Sequence, residues 1–188
     1  MTIVPRVLLL PGSLRDGSVH RAVLRTAKAA VGMARGVLFD GTADLPHFDP
    51  DDDVDPLPPP VAALRSAVEW ADALLICTPE YAGGLPGSFK NLLDWTVGGA
   101  EIDDKPVGWI TAAPPGRGGG AEAALRVALE YTGARIVEDA CRRIPVDRST
   151  LGESGIFTDP ETRMRITGTL MALRMHSTAT PLRCRGVR

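Results

Sequence analysis

An α/β fold, built as a parallel sheet with helices on both faces, is what this sequence predicts. Two observations carry the prediction. Short apolar runs bounded by Gly, Pro or Asp recur along the 188 residues, and segments with helical spacing separate them. That alternation of strand and helix is the signature of parallel strands joined by helical crossovers. The runs themselves are nearly continuous in apolar residues, as strands covered on both faces should be.

The first run spans Ile3 to Leu10, and a short second spans Val37 to Phe39. Ala73 to Cys77 is the third, Val107 to Ala112 the fourth, and Ala134 to Val137 a weaker fifth. A first helix follows from Val19, Val23, Ala27, Ala30 and Val31 on one face. Val61, Leu64, Ala67 and Val68 give a second, and Phe89, Leu92, Leu93 and Trp95 to Val97 a third, with Ser88 placed to cap it. Leu125, Ala128 and Leu129 mark a fourth. A last helix is expected from Pro160 to His176, with Met164, Leu170, Met171 and Leu173 as its apolar stripe. The connection from Thr42 to Pro60 breaks the rhythm. Rich in Asp and Pro, it reads as a solvated acidic loop or as a loop folded over a site or a neighbouring subunit.

Composition narrows the function. Hydrophobic residues are 44% and charged residues 23%, with a formal net charge of -2, which argues against a nucleic-acid-coating surface or a polybasic membrane face. Cys77, Cys141 and Cys184 are odd in number and far apart, with no C-x-x-C pair and no metal-ligand spacing of His. A reducing, cytoplasmic setting is expected. No apolar run approaches the roughly 20 residues that cross a bilayer.

In parallel sheets ligands bind beyond the carboxyl ends of the strands. The loops after the first, third and fourth strands are "PGSLRDGS", "TPEYAGGLPGS" and "APPGRGGG", all rich in Gly, Pro or Ser. In the first, Arg15, His20 and Arg21 crowd a helix start, where the dipole disfavours cations. A bound anion removes that conflict, Ser13 and Ser18 add donors, and Gly12 and Gly17 allow close approach. No G-K-[ST] ending is present, so a triphosphate site is not expected. The fourth-strand loop matches G-x-G-x-x-A at Gly116, Gly118 and Ala121, but after the wrong strand for a dinucleotide fingerprint. In the third-strand loop Pro79, Gly83, Gly84 and Pro86 fix the backbone and Tyr81 adds a flat surface, which suits a planar heteroaromatic ring. Glu80 reads equally as a helix-dipole or surface carboxylate.

The stretches Gly12–Ala22 and Thr78–Trp95 resemble the two signatures of the NADPH-dependent FMN reductase family, whose members include quinone, chromate and azo-dye reductases. The resemblance covers Ile3 to about Val146. It implies a flavodoxin-like single domain over residues 1–188, with strand order 2-1-3-4-5. It implies FMN as cofactor and NAD(P)H as hydride donor. Ser13, Leu14, Arg15, Ser18, Val19 and His20 would hold the phosphate end, and Pro79, Glu80, Tyr81, Ala82, Gly84 and Ala113 would line the ring. Members usually carry Asn where this chain has His20, whose imidazole donates to phosphate more strongly when protonated. Ping-pong transfer to a small-molecule acceptor is implied, with no catalytic side chain and no metal, and so is a homodimer or homotetramer. A flavodoxin-type electron carrier and a degenerate flavin-fold binding module are the competing readings.

Overall fold

A computed structural model describes residues 5–30 and 36–177. Five parallel strands form one sheet in the order β2-β1-β3-β4-β5. They are β1 (Val7–Pro11), β2 (Gly36–Leu38), β3 (Ala73–Cys77), β4 (Pro106–Thr111) and β5 (Arg135–Arg143). The helices are α1 (Val19–Ala30), α2 (Pro59–Trp70), α3 (Gly87–Asp94), α4 (Gly119–Tyr131) and α5 (Pro160–Ser177). The expected flavodoxin-like topology is the one observed.

Strand alternation divides the core in two. Leu8, Leu10, Leu74, Ile76, Val107 and Trp109 face α2, α3 and α4, where they meet Val61, Leu64, Phe89, Leu92, Leu125 and Leu129. Their neighbours Val7, Leu9, Ala73, Leu75, Cys77 and Ile110 face α1 and α5, against Val23, Leu24, Ile166, Leu170 and Leu173. Burial pushes the Cys77 thiol well above its ordinary range, so it packs as a small apolar group.

Several boundaries differ from expectation for identifiable reasons. β1 begins at Val7, because Pro5 offers no backbone donor and Arg6 is engaged by Asp72 through its backbone N–H (2.7 Å) and guanidinium (2.9 Å). Ile3 and Val31 lie outside the described residues, as does Cys184. β5 runs to Arg143 rather than stopping at Val137. It is an edge strand, so its outer residues carry charge and hide the strand from an apolar-run criterion. It also bulges: as β4 advances from Val107 to Trp109, the partner moves from Ile136 to Cys141. Gly108 makes room there, since a Cβ would lie 2.7 Å from the Ala140 carbonyl oxygen. α3 starts at Gly87 behind Pro86, so Ser88 lies inside its first turn and does not cap it. It ends at Asp94, and Thr96 turns its hydroxyl back onto the Leu93 carbonyl (2.7 Å), leaving Val97 exposed. On α5 the buried stripe runs through Ile166, Leu170 and Leu173, and Met164 and Met171 face outward. Ile166 shares the face of Leu170 by its four-residue spacing, whereas the two methionines are set off from it.

The acidic connection is not free in solvent. Two 3-10 turns, Gly41–Asp44 and Pro50–Asp52, organise it. Asn91 on α3 accepts from the Phe48 N–H (2.8 Å) and donates to the Pro46 carbonyl (2.8 Å). Trp95 donates to the same carbonyl (2.9 Å), and its ring meets Phe48 edge-on at 5.0 Å. Arg65 on α2 holds Asp53 by a half-buried pair at 2.7 Å and donates to the Trp95 carbonyl (3.0 Å). The segment is a strap across α2 and α3.

Candidate functional site

Three loops meet at the carboxyl edge of the sheet, and small residues let them touch. The Gly12 N–H donates to the Cys77 carbonyl (2.9 Å), joining the first-strand loop to the end of β3. A Cβ on Gly12 would lie 2.1 Å from Thr78 Oγ1 and 2.8 Å from its Cα. On the other side, Gly120 at the start of α4 stands against the third-strand loop, where a Cβ would lie 2.1 Å from the Gly83 carbonyl oxygen. Glu80 Oε2 accepts from the N–H groups of Gly120 (2.7 Å) and Ala121 (3.1 Å). Its carboxylate therefore caps α4, where the helix dipole favours it, and fixes the third-strand loop to the fourth.

The third-strand loop is a tight turn. Tyr81 and Gly84 exchange both backbone hydrogen bonds at 3.0 Å, with Ala82 at φ 50 and Gly83 at φ 76 between them. A left-handed alanine costs about 1 kcal/mol, and such outliers concentrate where a backbone must be presented in one way. Tyr81 is 57% exposed, Ala82 is exposed, Gly84 and Ala113 are half-buried, and Pro79 is buried beneath them. The turn thus offers a flat phenol and a rigid backbone edge.

The first-strand loop is rich in unspent donors. Ser18 Oγ accepts from the Arg21 N–H (3.1 Å) and caps α1, and Ser13 Oγ accepts a long bond from the Arg15 N–H (3.4 Å). Both serines are buried, yet neither hydroxyl proton goes to a protein acceptor among the described residues. The N–H groups of Val19 and His20 open α1 and have no helical acceptor. Arg15 is exposed, its guanidinium donates to the Gly17 carbonyl (3.5 Å) and has no carboxylate partner among the described residues, and Leu14 beside it is half-exposed. Arg148, from the segment after β5, donates to that same carbonyl (3.1 Å) and adds a cation that no local pattern announced. Arg21 departs from the anion-binding cluster. It is buried against Asp40, with Asp16 at 3.8 Å, and braces the loop from behind.

Burial pushes the His20 imidazole down to about 4, so it is a neutral donor at ordinary pH. An unfolded chain protonates this histidine near 6.5. Its contribution to stability is therefore complete above that value and is lost as pH falls towards 4. The loss is at most about 3 kcal/mol, and smaller because water screens a partly exposed ring. Urea unfolding of the wild type and His20→Gln at pH 7 and pH 5 checks this: the wild type should lose more stability than the variant. A bound phosphate favours the imidazolium and should flatten the difference.

The residues fit the phosphate and ring of FMN, with donors on the first loop and a rigid edge on the third. The comparisons agree. Residues 5–145 match the family model described as NADPH-dependent FMN reductase. An NAD(P)H-dependent FMN reductase of Pseudomonas aeruginosa is 30% identical over 174 residues, covering 90% of this chain and 94% of the relative. An NAD(P)H:quinone oxidoreductase of Solanum tuberosum is 29% identical over 184 residues, covering 91% and 92%. Among solved structures, the flavoenzyme NAD(P)H:(acceptor) oxidoreductase FerB of Paracoccus denitrificans superposes with TM-score 0.78 at 26% identity, over 93% of this chain and 97% of that one. With its topology, its loops and a family match over most of its length, this chain belongs to the NADPH-dependent FMN reductase family.

Proposed function

We propose that the chain is a single-domain NAD(P)H-dependent oxidoreductase. It holds FMN and passes two electrons from the nicotinamide to a small acceptor such as a quinone, free flavin, azo compound or metal oxyanion. Bound FMN supplies the electron-transfer chemistry, with donor and acceptor occupying the same place in turn. The observation that carries this reading is the pair of buried serines with unspent hydroxyl protons beside Arg15 and Arg148. Ser13, Leu14, Arg15, Ser18, Val19 and His20 surround the phosphate. Pro79 and Glu80 hold the ring loop in place, and Tyr81, Ala82, Gly84 and Ala113 border the ring. Cys141 takes no part, since burial pushes its thiol up to about 12.

Purified protein loaded with FMN should oxidise NAD(P)H steadily when a quinone is added, with parallel double-reciprocal lines across acceptor concentrations. FMN uptake with zero turnover would reassign the chain as an electron carrier. We also propose a homo-oligomer in the cytoplasm. Val97, Val127 and Tyr131 are exposed around an apolar groove between α3 and α4. A second copy presenting the same face covers all three at once. Light scattering should give a dimer or tetramer, and Val127→Glu should shift it to monomer. No helix among the described residues is long and apolar enough to cross a membrane.

A further inference from the structure

A polar cavity of about 450 Å³ lies at the edge of the sheet between β5 and α5. Arg142, Arg143, Arg165 and Thr169 line it, with Asp139 as its acid. Ion pairs elsewhere in the fold make its charge unusual. Arg6, Arg65 and Arg126 each have a carboxylate within 2.9 Å. In the cavity, the nearest carboxylate to Arg142 is Asp139 at 3.9 Å, and both side chains are mostly exposed. Arg165 donates to the Arg143 carbonyl (2.9 Å) and has no carboxylate partner among the described residues. Of the three arginines that line the cavity, Arg165 has no carboxylate partner among the described residues and Arg142 has only the long, exposed contact with Asp139.

Its position gives that charge a use. Arg143 is the last residue of β5 and pairs in register with Thr111, where the fourth-strand loop begins. Its guanidinium donates to the Arg117 carbonyl in that loop (3.0 Å) and pairs with Glu122 at 2.6 Å, which also accepts from Thr111 Oγ1 (3.2 Å). One arginine thus separates the ring-binding loops from the cavity. Arg117 is exposed beside it with no acid partner among the described residues. The proposed FMN phosphate site, at Ser13 and Ser18, follows β1, which β3 and β4 separate from β5. On that reading a phosphate seated at this edge of the sheet belongs to the other ligand. The nicotinamide and the adenosine 2′-phosphate are opposite ends of NADPH, so a phosphate site beyond the ring loops is where the far end would lie.

Resting on the FMN-enzyme reading above, we propose that the cavity lined by Arg142 and Arg165 seats the adenosine 2′-phosphate of NADPH and makes this chain select NADPH over NADH. Guanidinium forks suit a phosphate monoester, and each charge-assisted contact adds discrimination against the unphosphorylated nucleotide. The test compares wild type with Arg142→Gln/Arg165→Gln and the matching double lysine variant, none of which alters the flavin loops. In the glutamine variant kcat/KM for NADPH should fall on the order of tenfold or more, while that for NADH and the FMN content hold steady. The lysine variant should recover much of the loss. Calorimetry with 2′,5′-ADP needs no flavin. Wild type should bind it more tightly than 5′-AMP, and the glutamine variant should lose that preference. Equal effects on the two nucleotides, a wild type that favours NADH, or no preference for 2′,5′-ADP would each overturn the assignment. Failure to take up FMN or to oxidise either nucleotide would instead count against the enzyme reading, and the 2′,5′-ADP titration would still decide this one.

Discussion

Gly120→Val should leave a folded sheet without a working flavin site, at a cost of about 2–4 kcal/mol in stability. The reason is local. Gly120 is where α4 touches the third-strand loop, and an added Cβ would sit 2.1 Å from the Gly83 oxygen and 2.8 Å from its carbonyl carbon. Both are backbone atoms, so the loop must move rather than a side chain rotate. Moving it breaks the Glu80 bonds to Gly120 and Ala121, and the loop loses its tie to α4. FMN affinity should fall on the order of a hundredfold, corresponding to about 2.7 kcal/mol. Gly119→Ala is the control. A Cβ there meets nothing closer than Arg143 Nη2 at 3.7 Å, and a helical alanine is favoured over glycine by roughly 1 kcal/mol. FMN titration by fluorescence quenching, with urea unfolding, measures both quantities. Equal affinities for the two variants would mean that the contact between loop and helix does not shape the site. Glu80→Gln isolates the charge: the amide oxygen can still accept, so only the dipole contribution of about 0.3–1 kcal/mol is lost.

Why Glu80 acts this way was open in the sequence, and the reason is instructive. A carboxylate after a strand can face a ligand or cap a helix. The choice depends on Gly120, which is 40 residues away along the chain. Contacts of that separation leave no local pattern. The same holds for Arg148, which reaches the Gly17 carbonyl across 131 residues, and for the Phe157 N–H on Thr26 Oγ1. What was legible was whatever a short window encodes. The apolar run at Ala73–Cys77 matches β3 residue for residue, and Pro160 starts α5 where a proline is best tolerated. The order of elements, and hence the edge that carries the loops, followed from alternation alone. β5 was truncated because its charges belong to an edge and its bulge breaks the two-residue period. The methionines of α5 misled because a stripe of apolar residues does not say which side of it is buried. Arg21 misled more deeply: its place at the helix start is as expected, but Asp40, beyond the next strand, draws it away from the anion.

Trp95→Ala should be the most destabilising single change outside the site, at about 3–5 kcal/mol, against a total of about 5–15 kcal/mol for a native domain. Trp95 is fully buried and is the point where three restraints on the strap converge. Its indole N–H holds the Pro46 carbonyl, its ring carries the edge of Phe48, and its own carbonyl receives Arg65. Removing the side chain opens a cavity beneath α3 and leaves the Pro46 carbonyl with Asn91 alone. The strap holds many exposed acids that repel one another once it is released, so the loss should grow at low salt. Trp95→Phe separates the two contributions. It keeps most of the ring and loses one hydrogen bond, and should cost about 1–2 kcal/mol. The consequence reaches function, because α3 begins three residues after Gly84 and its N-terminal end anchors the ring loop. Proteolysis within residues 49–58 should become rapid in Trp95→Ala, with FMN affinity falling in step. A strap cut quickly while FMN binding stays at the wild-type level would show that the acidic segment stabilises the fold without supporting the site.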